Sequence, residues 1–237
     1  MKDITRDFIL EGLSRYGLAD LPGRPYDSAF ELLASPPIRK RLIVMGLNGS
    51  SADSLMTNSQ SIIHDHSQPL VSNVQLGTQG KWGITHLAKR LKQMPTSLGY
   101  RWQDTVYTNA LMTCSTNALT LKQEASRHKL TVEQLVKNST RFFENVTVPL
   151  CMPELIIAYS NSLQSLSAAS ILLENFGDPS TLIYTQNKGY YTTFAFVASI
   201  NDTKIPVICI RHMSRFKPSD KLVETALKVM RAHQFDL

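Results

Sequence analysis

The sequence predicts an α/β protein built on a central, mostly parallel sheet. Three observations predict it. Short apolar or β-branched runs recur along the chain, and several of them read as buried strands. Amphipathic helical patterns lie between them. Strand and helix alternate, which is the signature of a parallel sheet with helices on both faces. The expected architecture is a three-layer α/β/α sandwich around a four- to five-stranded sheet.

The elements follow in chain order. An N-terminal helical stretch ends before Pro36-Pro37, because two prolines stop a helix and set an extended approach. Residues 41–46 (RLIVMG) are a short apolar run closing on glycine, hence a buried strand. The segment Gly83–Met94 places Ile84, Leu87, Ala88 and Leu91 on one helical face. Residues 105–112 (TVYTNALM) and 154–159 (ELIIAY) are the next strands. Thr131-Val132-Glu133-Gln134 has the form of a capping box. It opens a helix striped with Val132, Leu135, Val136, Phe142, Phe143 and Val146. Residues 162–176 carry Leu163, Leu166, Ala169, Ile171, Leu172 and Phe176 at helical spacing and stop at Gly177. Residues 181–185 and 192–200 are β-branched and aromatic, as strands prefer, and 205–212 is another buried strand. Pro218-Ser219 starts the last helix, with Leu222, Val223, Ala226, Leu227 and Met230 inward.

With 237 residues, 43% of them apolar and 19% charged, the chain is expected to form one domain over 1–237, with 1–37 a helical segment packed on it. That balance excludes a largely disordered chain. No apolar run reaches the ~18 residues of a membrane helix. With acidic Asp3 and Asp7 and no apolar h-region, the N-terminal stretch is not expected to be a signal peptide. Cys114, Cys151 and Cys209 are few and scattered, which fits buried, reduced thiols in a cytoplasmic protein rather than a disulfide or metal framework. The formal charge of +6 is compatible with a polyanionic partner.

Parallel α/β sheets place ligands at the carboxyl ends of their strands. The first such end is Gly46-Leu47-Asn48-Gly49-Ser50-Ser51-Ala52-Asp53. It lacks both the dinucleotide fingerprint and a P-loop lysine, so no nucleotide cofactor is expected. Its glycines allow close backbone approach to a ligand. Asn48 can orient a water and Asp53 can accept a proton. A βα turn capped by Ser50 or Ser51 is the plainer alternative. The second end is Thr108-Asn109-Ala110, where the Asn109 amide suits a nucleobase edge or its own turn. The third is Arg211-His212-Met213-Ser214-Arg215-Phe216, which combines a donor with groups that grip phosphate.

Together these segments resemble the uracil-DNA glycosylase superfamily over residues 41–234. Residues 46–52 resemble its first motif, nearest the mismatch-specific, thymine-glycosylase-like branch. Tyr107 to Cys114 resembles the asparagine-bearing strand end, and His212-Met213-Ser214-Arg215 the His-Pro-Ser second motif. Gly77-Thr78-Gln79-Gly80-Lys81-Trp82 resembles the glycine-bearing segment after the first motif. The resemblance implies a uracil-DNA-glycosylase-like fold and an enzyme that flips a base from DNA and hydrolyses its N-glycosidic bond. It implies no cofactor, a DNA partner, no membrane and a monomer. Asn48 or Asp53 would position the water, and His212 would donate to the departing base. Gly46, Leu47, Gly49, Ser50 and Asn109 would line the base, with Trp82 the stacking candidate. Ser214, Arg215, Lys217 and Lys81 would hold phosphates, and Phe216 or Arg215 would wedge into the gap.

Gly49 and Met213 stand where the family carries prolines, and no tyrosine follows the first motif. The small residues Gly49, Ser50, Ser51 and Ala52 leave room at the C5 position of a pyrimidine. His64 and His66, in the polar segment 54–76, would bond an added substituent. The implied target is a non-standard pyrimidine, including hydroxymethylated or glucosylated cytosine of the kind some phages carry, which points to defence. Uracil or thymine-mismatch excision is the alternative, as is a non-catalytic DNA binder of the same fold. A serine hydrolase using Ser50 or Ser51 with His212 lacks the Gly-x-Ser-x-Gly elbow. His64 and His66 on a loop lack further ligands for a tetrahedral site, so no metal is expected.

Overall fold

The strand β1, Leu42–Gly46, offers water no polar side chain, and all five residues are buried. A strand apolar on both faces needs cover on both. It sits inside a six-stranded sheet with β2 (Thr105–Asn109), β3 (Leu155–Ala158), β4 (Gly177–Tyr184), β5 (Phe194–Ile200) and β6 (Thr203–Cys209). The computed structural model describes residues 4–23, 41–49, 56–66, 85–101, 104–185 and 193–232. Strand order is β2-β1-β3-β6-β5-β4. The first four are parallel. β5 is antiparallel to both its neighbours, β6 and β4.

This corrects the expected four to five strands: all six candidate runs join one mixed sheet. For β5 and β6 the physical reason lies in the turn that joins them. Asn201 (φ 49°) and Asp202 (φ 61°) are both left-handed and join β5 to β6 as a two-residue hairpin. No crossover helix fits in two residues, so β6 must double back along β5.

Two apolar cores flank the sheet. On one face Ile43, Met45, Ile156 and Val207 pack with Ile9 and Leu13 of α1 (Ile4–Arg15) and Ile62 of α2 (Asn58–His66). On the other, Val44, Tyr107, Ile157 and Ile208 pack with Leu91 and Met94 of α3 (His86–Ser97). The first core also takes Leu121 of α4 (Ala118–Arg127), Leu135 of α5 (Val132–Phe142) and Ile171 of α7 (Ala168–Phe176). Between α5 and α7 lie a π turn, Phe143–Thr147, and the short α6, Val148–Cys151. The second core takes Val223, Ala226 and Met230 of α8 (Asp220–Ala232). Each fully buried side chain of this kind contributes about 1.5–3 kcal/mol.

Local signals act as expected where they are strong. Thr131 caps α5 by accepting from Gln134 N, and Gln134 reaches back to Thr131 N at 2.7 Å. Leu135, Phe142, Phe143 and Val146 of the predicted stripe are buried. Two helices depart from expectation. The helix expected over 162–176 begins only at Ala168, because the preceding serines bond one another and the backbone instead of continuing a helix. Gly177 ends it without a left-handed turn. A Cβ there would lie 2.6 Å from Leu173 Cδ1 and 2.8 Å from Leu173 O, and the chain passes straight into β4. Part of the segment expected to be a polar loop forms α2. His64 and His66 therefore lie on a helix, where positions two apart do not share a face.

Asn58, buried at the start of α2, donates to Leu18 O (2.8 Å) and Met112 O (2.7 Å) and so ties the N-terminal segment to the chain beyond β2. All three cysteines are buried thiols outside any disulfide, and burial pushes the Cys209 thiol well above its ordinary range. No helix among the described residues is long and apolar enough to cross a membrane.

Candidate functional site

The chain leaves β1 toward β2 on one side, and leaves β3 toward the strands on the other. The switch between these directions falls between β1 and β3, where open parallel sheets bind ligands. Gly46 pairs with Asn109, and Met45 with Ala158. The strand ends Gly46, Asn109 and Tyr159 are therefore neighbours. The ladder continues past the strands: Ala110 N donates to Gly46 O, Leu111 N to Leu47 O, Gly49 N to Thr113 O, and Ser115 N to Gly49 O. The loop bearing Asn48 is thus held against residues 110–115.

Gly46 is required here, though not by a ligand. A Cβ at 46 would lie 2.4 Å from Tyr159 Oη and 2.8 Å from Asn109 Oδ1. Tyr159 fills the space that the glycine leaves. Its ring meets His212 edge-on, with centroids 5.5 Å apart. Asn109 is buried beside Gly46 and does not line the open cleft described below.

Asn48 is oriented by its acceptors. Its Nδ2 donates to Gly49 O (2.9 Å), Ser115 O (3.0 Å) and Ser115 Oγ (2.7 Å). Carbonyl oxygens only accept, so the amide nitrogen must face them. The Oδ1 then lies on the side of the amide away from these carbonyls. Asn48 itself is half-buried.

The loop after β6 presents His212. Ser214 N donates to His212 Nδ1 at 3.2 Å, and Ser214 Oγ lies 2.7 Å from the same nitrogen. Nδ1 must therefore keep its lone pair, which places the ring proton on Nε2 as a donor. Partial burial, then the charge of Arg215, hold the His212 pKa below its ordinary 6.5. The neutral ring is the dominant form at neutral pH. Met213, where the resemblance expects proline, is fully buried and pins the loop by its side chain. Arg90 of α3 donates to Met213 O at 2.6 Å.

A cavity of about 350 Å³ opens between the loops after β3 and β6, lined by Ser160, Asn161, Ser162, Arg211, His212, Ser214, Arg215 and Phe216. The segments 160–169 and 210–219 carry no acidic residue, whereas Arg211, Arg215 and Lys217 are basic. Such a cleft favours an anion.

The candidates separate into groups. Asn48, Gly46, Leu47, Gly49 and Asn109 gather at the ends of β1 and β2. His212, Ser214, Arg215 and Phe216 gather at the cleft, with Lys217 exposed beside it. Ser50, Asp53, Lys81 and Trp82 lie outside the described residues, as do the side chains of His64 and His66. Arg90 of α3 clamps the His212 loop through Met213 O. Phe216 does not stand free as a wedge, because the Arg211 guanidinium carbon lies 3.0 Å from its ring centroid. Arg41 sits at the opposite end of β1, paired with Glu154 at 2.8 Å. Sequence reasoning missed Tyr159 and Ser115. Tyr159 was signalled only by closing an apolar strand, and Ser115 by nothing local.

Neither a protein-family model, nor a curated protein, nor a solved structure matches the chain.

Proposed function

We propose that this protein is a DNA glycosylase of uracil-DNA-glycosylase-like fold, which flips a modified or mismatched base from DNA and hydrolyses its N-glycosidic bond. The observation that carries the reading is the placement of an acceptor-oriented Asn48 and a neutral, Nε2-protonated His212 after the carboxyl ends of β1 and β6, two parallel strands of one mixed sheet.

In the reaction the C1′–N bond breaks with both electrons leaving on the base, while a water oxygen bonds C1′ and sheds its proton. Asn48 Oδ1 accepts from that water and aims its lone pair at C1′. An amide is no base, so Asn48 positions the water, and Asp53 is the candidate to take its proton. His212 Nε2–H donates to the base oxygen where negative charge gathers. Arg211, Arg215 and Lys217 supply the phosphate grip. No metal or cofactor enters any step.

The substrate is a non-standard pyrimidine. The small residues Gly49 to Ala52 support a bulky C5 substituent, including hydroxymethylated or glucosylated cytosine in phage DNA.

The test incubates the protein with uracil, thymine-mismatch, unmodified and hydroxymethyl- or glucosyl-cytosine DNA, followed by alkali. Strand breaks only in the modified phage DNA are the expected result and point to defence. Breaks at uracil or a thymine mismatch assign the protein to repair. Salt-sensitive binding without breaks in any DNA overturns the enzyme and leaves a binder.

A further inference from the structure

We infer that Tyr159 is a positioning residue that sets where Asn48 and His212 stand relative to each other. The inference rests on the proposed function for what those two groups do, and on packing alone for how they are held. β3 lies between β1 and β6 in the sheet and pairs in parallel with both. Asn48 follows β1 and His212 follows β6, so the residue that follows β3 falls between them. That residue is Tyr159. Its surroundings are tied on both sides: Tyr159 N donates to Met45 O, and Ile210 N to Ala158 O, each at 2.9 Å.

The phenol spans the gap between the two strand ends. Its hydroxyl end occupies the space that Gly46 leaves, two residues before Asn48, where a Cβ would lie 2.4 Å from Oη and 2.7 Å from Cζ. Its ring meets the His212 ring edge-on, with centroids 5.5 Å apart and planes at 67°, a preferred geometry for aromatic pairs. One rigid side chain therefore touches both ends. His212 has need of such backing. It is exposed, and its hydrogen bonds with Ser214 N and Ser214 Oγ both end on Nδ1. Nε2, the donor of the proposed reaction, lies across the ring, and Tyr159 meets the ring itself. Tyr159 is 5% exposed and does not line the cleft, although Ser160, next in the chain, does. It therefore acts through its neighbours and not on a ligand. A misplacement of about 1 Å at a reacting group costs on the order of a hundredfold in rate, so a residue that only holds the spacing still governs turnover.

The experiment compares Tyr159→Leu, which removes the ring, with Tyr159→Phe, which keeps it. It reads alkali cleavage of the DNA that the wild type cuts, and NMR of the neutral His212 ring. The wild type is expected to show a cross-relaxation peak between the two rings and well-separated nitrogen signals for protonated Nε2 and bare Nδ1. In Tyr159→Leu the two nitrogen signals are expected to draw together, as the ring leaves Ser214 and its tautomers mix. Its kcat is expected to fall about ten- to a hundredfold with KM held within about twofold. Tyr159→Phe is expected to keep the nitrogen signals and to restore kcat to within about threefold. If Tyr159→Leu does not fold, Gly46→Ala, which pushes the phenol from its other end, is expected to move the His212 signals instead. A wild type without the cross-peak, or His212 nitrogen signals that neither variant moves, overturns the inference. So does a loss confined to KM, or one that phenylalanine does not restore. A wild type that cuts no DNA refutes the glycosylase reading; the cross-peak and the moved nitrogen signals then still uphold the positioning of His212, and their absence overturns it.

Discussion

Gly46→Ala tests the site's packing independently of its chemistry. The added methyl would lie 2.4 Å from Tyr159 Oη, 2.7 Å from Tyr159 Cζ and 2.8 Å from Asn109 Oδ1. These distances fall about 1 Å short of van der Waals contact. Tyr159 is 5% exposed and Asn109 3%, so neither swings out without opening the core. Overpacking of this kind costs about 1–3 kcal/mol. At this chain length each kcal/mol lowers the melting temperature by about 2–4 °C. A urea titration is expected to show an earlier midpoint with an unchanged slope. Tyr159→Phe removes the nearest atom and leaves Cζ at 2.7 Å, so the double variant should recover part of the loss. A coupling of at least about 0.5 kcal/mol is expected for residues in contact. The reasoning is refuted if Gly46→Ala melts with the wild type, or if the two changes simply add.

The other predictions concern the proposed chemistry. Protonating His212 would put a hydrogen on Nδ1, facing the Ser214 N–H, so glycosylase activity should be level above pH 6.5 and fall below it with a midpoint under 6.5. The His212 contribution to stability has the same sign: the unfolded chain takes the proton first, so it is present above pH 6.5 and lost as pH falls through the folded pKa, which pH-dependent urea midpoints would read. Asn48→Ala should lose about a hundredfold or more in turnover while duplex affinity holds, whereas Ser115→Ala should cost little, because Ser115 O and Gly49 O still receive both amide hydrogens. Arg215→Ala should lower the slope of log affinity against log salt by about one, as expected for a lost phosphate contact, and an unchanged slope would place Arg215 off the DNA.

Signals confined to a few neighbouring residues were legible in the sequence. The reciprocal cap of Thr131 and Gln134 and the apolar runs of the strands depend on local chemistry, and they stand where expected. α4 opens on a reciprocal cap as well, but between Asn117 and Thr120, a pairing that lacks the usual Glu or Gln. Leu163 and Leu166 mimicked a helical stripe because spacing alone does not reveal that serines will take the backbone's hydrogen bonds. The candidate site was legible as strand ends and not as contacts. Ser115 lies 67 residues from Asn48, and Arg90 lies 123 from Met213. Only the register of the sheet brings such pairs together.

That register also sets the order in which the molecule can be made. β1 pairs with β2 sixty-three residues later, as Leu42 with Thr105, and with β3 one hundred and thirteen later, as Leu42 with Leu155. The β5–β6 hairpin closes across two residues. Long-range parallel pairings are slow to form, and the hairpin can nucleate early. β1 therefore gains β2 first and stays open along its other edge until β3 has been made. The candidate residues draw Asn48 from the end of β1 and His212 from the end of β6, so they share one sheet edge only once β3 has joined both strands.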